Sequence, residues 1–158
     1  MDRQTRINGK KPCQALDSGG YEIELLVAPS LYPTLDKNEV FAPLSSLHEQ
    51  EWLLEGTPIR QVAVSRDDKT CPIVAPDPRW MALHKLWLAD RPLRNPNKRD
   101  KDRQQGNVLL DAVREYMSVS YPLITDFVLD LPDELLPYFD DWAARTGYVP
   151  GNEARRSL

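Results

Sequence analysis

The stretch His84 to Leu110, HKLWLADRPLRNPNKRDKDRQQGNVLL, gathers eight basic side chains, His84 included, around Pro92 and Pro96. Just upstream, DPRWMALHKLWLAD (Asp77 to Asp90) begins with Asp at an N-cap position and Pro at the first helical position. Trp80, Leu83 and Trp87 then mark one buried face. From about Lys98 the chain turns helical again, with Gln105, Val108, Leu109, Ala112, Val113 and Tyr116 at spacings of three and four. The stretch therefore reads as helix, proline-bearing turn, helix, with the positive charge collected at the bend.

The charges themselves follow a pattern. Lys98, Lys101, Asp102 and Gln105 share one face of the second helix. Lys85 flanks the apolar face of the first, Arg91 comes as that helix ends, and Arg94 lies in the turn. Because the turn sends the chain back, Lys85 and Lys98 or Lys101 are expected to converge on one cavity. Such a junction suits a triphosphate: Lys serves as a point charge, Arg as a bidentate fork, and the second helix adds unpaired N–H groups at its start. The competing reading is a solvated bend whose charges pair locally, Asp90 with Arg94, and Asp100 and Asp102 with Lys98 and Lys101. Pairs of that kind contribute little to stability.

Upstream of the helices the pattern is that of strands. PCQAL (Pro12 to Leu16), the turn DSGG and YEIELLV (Tyr21 to Val27) read as a hairpin, the last with a period of two. SSLHEQEWLLEG (Ser45 to Gly56) reads as a short amphipathic helix with a Ser start and a Gly stop. IRQVAV and CPIVAP flank SRDDKT as a second hairpin, with Pro72 placing its return strand at an edge or marking its start. Pro122 and Pro132 open two shorter helical segments, the second closed by Gly147. Strands first and helices later make an α+β fold. The expected organisation is one domain over residues 1–150, mainly hairpins to residue 76 and helical over 77–148, with 151–158 a flexible tail.

Glu22 and Glu24 are two apart on a strand and so leave it on the same face. Two carboxylates on one rigid element can hold Mg²⁺, which takes hard oxygen ligands and commonly binds substrate phosphates as well; the plainer alternative is a solvated strand face. The formal net charge of −4 argues against binding nucleic acid with the whole surface. With no apolar core in MDRQTRINGKKP to act as a secretory leader, the expected compartment is the cytoplasm, with no membrane partner. Cys13 and Cys71 are there expected as free, buried thiols.

GYEIELLVAP together with CPIVAPDPRWMALHKLWLADRPLRNPNKRDKDRQQGNVLLDAV resembles the second half of bacterial nucleotidyltransferase-like domain proteins. These belong to the polymerase-β-type superfamily, with the abortive-infection toxin nucleotidyltransferases as relatives. The resemblance implies a strand carboxylate at Glu24 acting as catalytic metal ligand, and a nucleotide site at Lys85, Arg91, Lys98, Lys101 and Asp102. It implies NTP and Mg²⁺ as cofactors, and an RNA (tRNA) or protein acceptor. The Gly-Ser turn and Asp-x-Asp strand of that superfamily do not precede Glu24. The chain is accordingly expected to be a carboxy-terminal portion, inactive alone, that needs a missing amino-terminal half or self-association. A non-catalytic nucleotide-, RNA- or protein-binding or assembly module is the alternative.

Overall fold

A computed structural model describes residues 6–8, 11–16, 19–20, 22–24, 26–31, 44–45 and 48–151. The chain divides into two compact units, residues 1–54 and 55–158. The architecture is α+β, short strands followed by helices.

In the first unit, β1 (Arg6–Asn8), β2 (Lys11–Leu16) and β3 (Glu22–Glu24) form an antiparallel sheet in that order. Leu16 pairs with Glu22 and Gln14 with Glu24, which is the expected first hairpin. Gly20 takes a positive φ of 80° beside the turn, a conformation glycine reaches without steric cost. The run expected as one strand from Tyr21 to Val27 is instead shared between two sheets. Its second part, β4 (Leu26–Val27), pairs in parallel with β5 (Leu44–Ser45). The segment expected as an amphipathic helix from Ser45 to Gly56 is a 3-10 helix over His48–Leu54. Trp52, Leu53 and Leu54 are consecutive, so they supply no stripe of the kind that stabilises an α-helix by burial. Glu51 on this 3-10 turn accepts from both the backbone N–H and the hydroxyl of Ser30. Those hydrogen bonds hold its carboxyl below the usual range.

The second unit opens with the second hairpin, β6 (Ile59–Val64) and β7 (Thr70–Ala75), in continuous antiparallel register from Ile59↔Ala75 to Val64↔Thr70. Its loop is closed by Asp68 N–H to Ser65 O and Ser65 N–H to Lys69 O. Asp68 supplies the left-handed residue, with φ 58°. Both faces of the hairpin are largely exposed, and Cys71 is therefore a free but exposed thiol, not a buried one. Cys13 carries no described side chain.

Four helices follow: α1 (Pro78–Ala89), α2 (Pro96–Tyr116), α3 (Thr125–Leu129) and α4 (Leu136–Thr146). Asp77 caps α1 as expected, accepting from Arg79 N–H. Asn95 caps α2 in the same manner, ahead of Pro96. The second helix thus begins two residues before Lys98. Gly147 ends α4 in the left-handed conformation, φ 65°.

The core is built where the helices meet, from Leu83, Leu110, Val113, Leu123, Leu135, Phe139 and Trp142, all essentially inaccessible. Trp80, Phe127, Phe139, Trp142 and Tyr148 form a chain of edge and tilted ring contacts through it. The Trp142 indole N–H donates to Asp111 Oδ1 at 3.0 Å, so the buried ring leaves no unmet donor. Among the described residues no helix is long and apolar enough to cross a membrane.

Candidate functional site

The approach of α1 to α2 sets the geometry of the bend. Gly106 faces α1, and a Cβ there would lie 2.6 Å from Leu86 Cγ and 2.8 Å from the Ala82 carbonyl oxygen. Only glycine admits this spacing. The close approach brings Lys85, on α1, opposite Asp102, on α2.

Asp102 is the hub. It is 2% exposed, in the second turn of its helix. Lys85 Nζ donates to Oδ1 at 2.9 Å, and Arg94 Nε donates to Oδ2 at 2.6 Å, with Arg94 Nη2 on the same oxygen. Burial pushes the Asp102 carboxyl up, but the hydrogen bonds and positive charges of Lys85 and Arg94 outweigh it. The net result is a carboxyl held below its ordinary value. Asp102 therefore stays ionised and fixes one cation from the helix and one from the turn.

Arg99 organises the turn itself. Its guanidinium donates to the carbonyl oxygens of Arg91 and Pro92 at 3.0 Å and of Arg94 at 3.3 Å. Carbonyls that a turn would otherwise leave to water thus converge on one side chain. Arg91 lies over the Trp87 ring, its guanidinium carbon 4.4 Å from the centroid. Lys98 and Lys101 are exposed and make no ion pair among the described residues.

Two of the residues expected at a nucleotide site, Lys85 and Asp102, are thus in direct contact. Arg91 is steered onto an indole, and Lys98 stands one turn before Asp102 on α2. Arg94 is the residue that spacing placed wrongly. It pairs with Asp102, while Asp90 and Asp100 both pair with Arg103, at 2.8 and 3.4 Å. Nor do Lys98 and Lys101 pair with Asp100 or Asp102. A second buried carboxylate, Asp77, also escaped the sequence reading as a charge centre. Its oxygens accept from Thr57 N–H, Arg79 N–H and the Arg79 guanidinium.

Glu22 and Glu24 sit at the two ends of β3, in the first unit, whereas the basic bend belongs to the second. Their carboxylates lie outside the described residues. Among the described residues no group of three or more His, Cys, Asp or Glu could hold a metal ion. As a donor set, two carboxylates at alternate strand positions suit Mg²⁺, which leaves several ligand positions to water or phosphate.

A nucleotidyltransferase family model matches residues 1–125. The chain belongs to this nucleotidyltransferase family. No curated protein and no solved structure matches it. The matched segment holds Glu22, Glu24, Lys85, Arg94 and Asp102. It ends at the first residue of α3, so α4 follows it.

Proposed function

We propose that the bend between α1 and α2 binds the triphosphate of an NTP, as the phosphate-holding part of a nucleotidyl transfer site. The observation that carries this reading is the buried Asp102 gripping Lys85 and Arg94 at once. A lone surface cation swings freely, and fixing it on the ligand costs side-chain entropy. Here that ordering precedes the ligand. Lys85 has three donors and gives one to Asp102; Arg94 has five, and Nε and one Nη2 donor go to Asp102. Both side chains remain 24% exposed. One carboxylate cannot neutralise two cations, so the bend keeps an excess of positive charge, to which Arg91, Lys98 and Lys101 add.

Separately, Glu24 with Glu22 would offer carboxylate oxygens to Mg²⁺ from β3 of the first unit. The chemistry Mg²⁺ would supply there is charge neutralisation and activation of a hydroxyl. Two-metal transfer needs more carboxylates than these two, so nucleotide binding is the activity proposed for the bend. The acceptor, an RNA end or a protein side chain, is a further part of the proposal.

Isothermal calorimetry with ATP, GTP, CTP and UTP, with and without Mg²⁺, tests it. Binding is expected for triphosphates, and Lys85→Ala is expected to weaken it about tenfold or more, the scale of a lost charge-assisted hydrogen bond. Lys69→Ala, in the exposed hairpin loop, is expected to leave it unchanged. No heat with any nucleotide, or equal affinity in Lys85→Ala, removes the reading.

A further inference from the structure

Beside the bend, a cavity of about 320 Å³ opens where α1, α2 and α4 meet. That is at the small end of the ordinary range for ligand pockets, roughly 300–1,000 Å³. The residues are spaced by whole turns: Leu86 from α1 and Asp90 at its C-cap, Arg103 and Asn107 from α2. From α4 come Tyr138, Asp141 and Arg145. Leu86 follows Lys85 and Arg103 follows Asp102 in the chain, so the cavity lies about 100° round each helix from the cation pair, on the same stretch of α1 and α2.

The polar groups in this cavity divide into two sets. Asp90 is engaged: Arg103 Nη2 meets it at 2.8 Å, and Tyr138 shares a hydrogen bond with it. Burial and the Asp90 charge push the Tyr138 phenol up, so it stays protonated. The second set is unengaged or half-engaged. Arg145 Nη2 donates to Asn107 Oδ1, which turns the Asn107 amide so that its NH₂ end is left to donate. Arg145 keeps its other donors. Asp141 makes no hydrogen bond or ion pair among the described residues, although it stands one turn before Arg145 on α4. The cavity therefore presents a carboxylate acceptor beside two donor groups, a guanidinium and an amide, with Leu86 as an apolar wall.

We infer that this cavity holds the base of the nucleotide, and that its chemistry selects guanine. The inference rests on the triphosphate reading of the adjoining bend. Guanine carries two N–H donor groups, N1–H and the N2 amino group, side by side; one carboxylate accepts from both. Next to them its O6 and N7 are acceptors, the pair that Arg reads bidentately in nucleic acids. Asp141 meets the first pair, and Arg145 with Asn107 the second. Adenine lacks the keto oxygen and the N1–H, and uracil lacks the amino group. Cytosine offers an amino group to a carboxylate but no ring N–H beside it. Those bases form fewer matched hydrogen bonds with the three polar groups than guanine, whose edge offers two donors and two acceptors side by side.

Competitive calorimetry on the full chain separates this inference from the reading it builds on. GTP is expected to bind at least tenfold more tightly than ATP, CTP or UTP. Guanosine, which has no phosphate, is expected to bind weakly and adenosine not at all. Asp141→Asn and Arg145→Ala are each expected to lower GTP affinity tenfold or more while moving ATP less than twofold. Lys85→Ala is expected to weaken all four triphosphates alike. Asp141 and Arg145 are exposed on α4, so both variants are expected to melt with the parent, which circular dichroism checks. Four triphosphates of equal affinity, or a GTP affinity indifferent to Asp141→Asn and Arg145→Ala, overturns base selection and leaves the phosphate site standing. Guanosine binding without any gain from phosphates upholds the pocket and removes the triphosphate reading.

Discussion

Two aspartates in the helical unit are buried to nearly the same degree, Asp77 fully and Asp102 to within 2%, and both hold an arginine. Their surroundings differ in kind. Asp77 caps α1, accepts from the backbone of Thr57 and Arg79, and holds a guanidinium that is only 13% exposed. Arg79 in turn donates to the Pro122 carbonyl oxygen and lies 4.6 Å over the Phe127 ring. Its charged partner faces inward. Asp102 takes no backbone donor; it holds two cations from separate elements, each about a quarter exposed. A buried carboxylate whose partners are themselves enclosed acts as a fastening. One whose partners keep free donors toward solvent pre-positions those donors for something else.

That contrast implies unequal costs when each hub is removed, and the largest belongs to Asp77. Asp77→Ala deletes the α1 cap and leaves the Arg79 guanidinium enclosed without its counter-charge. Breaking a buried pair in this way costs roughly 3–5 kcal/mol. Urea unfolding is expected to show that loss. A loss under about 1 kcal/mol, the size of a surface pair, would mean that Arg79 finds water and that the inward-facing description of Asp77 is wrong. The adjoining backbone supports the description: Gly56 sits at φ 72° so close to Asp77 that a Cβ would collide with its carboxylate.

Next in size is the contact that brings Lys85 to Asp102. Gly106→Ala inserts a methyl 2.6 Å from Leu86 Cγ and against the Ala82 carbonyl. Overpacking of that kind costs about 1–3 kcal/mol, even though Ala gains up to roughly 1 kcal/mol in helix propensity over Gly. The variant is expected to melt lower and to bind triphosphates more weakly, because α1 and α2 must separate to admit the methyl. A variant that melts higher would show that propensity wins and that the helices are looser than the distances say.

The parts of this molecule legible in the sequence are those set by short-range chemistry. Asp77-Pro78 announces α1, and the SRDDKT loop announces the second hairpin. Asn95-Pro96 carries the same cap signal as Asp77-Pro78, yet the basic run beyond it draws the helix start to Lys98. β1 and the parallel pair β4–β5 were not legible, since strands of two or three residues have no period to read. At the site, helix spacing was enough to bring Lys85 toward the α2 face that carries Asp102. The Arg94 pairing was not readable, because Arg99 shapes the turn through contacts with three carbonyls, a matter of tertiary geometry. The same holds for the cavity at α4: Tyr138, Asp141 and Arg145 read as an ordinary polar face until α1 and α2 are set against it.

The smallest of the three effects decides most about the site. Asp102→Asn keeps shape and volume but removes the charge that holds two cations. Lys85 and Arg94 can turn to water, so the cost at neutral pH is expected to be about 1–2 kcal/mol, less than for Asp77→Ala. Its pH dependence carries the sharper information. Because the folded Asp102 carboxyl titrates below its ordinary value, the unfolded chain takes up that proton at a higher pH than the folded one. The stabilisation is therefore complete above about pH 4, near the ordinary aspartate value, and is lost as the pH falls through the depressed one. Unfolding measured from pH 7 down to pH 3 should show the parent and Asp102→Asn converging at the acid end. If the gap between them stays constant over that range, Asp102 is not the ionised centre of the bend, and Lys85 and Arg94 are ordered by something other than its charge.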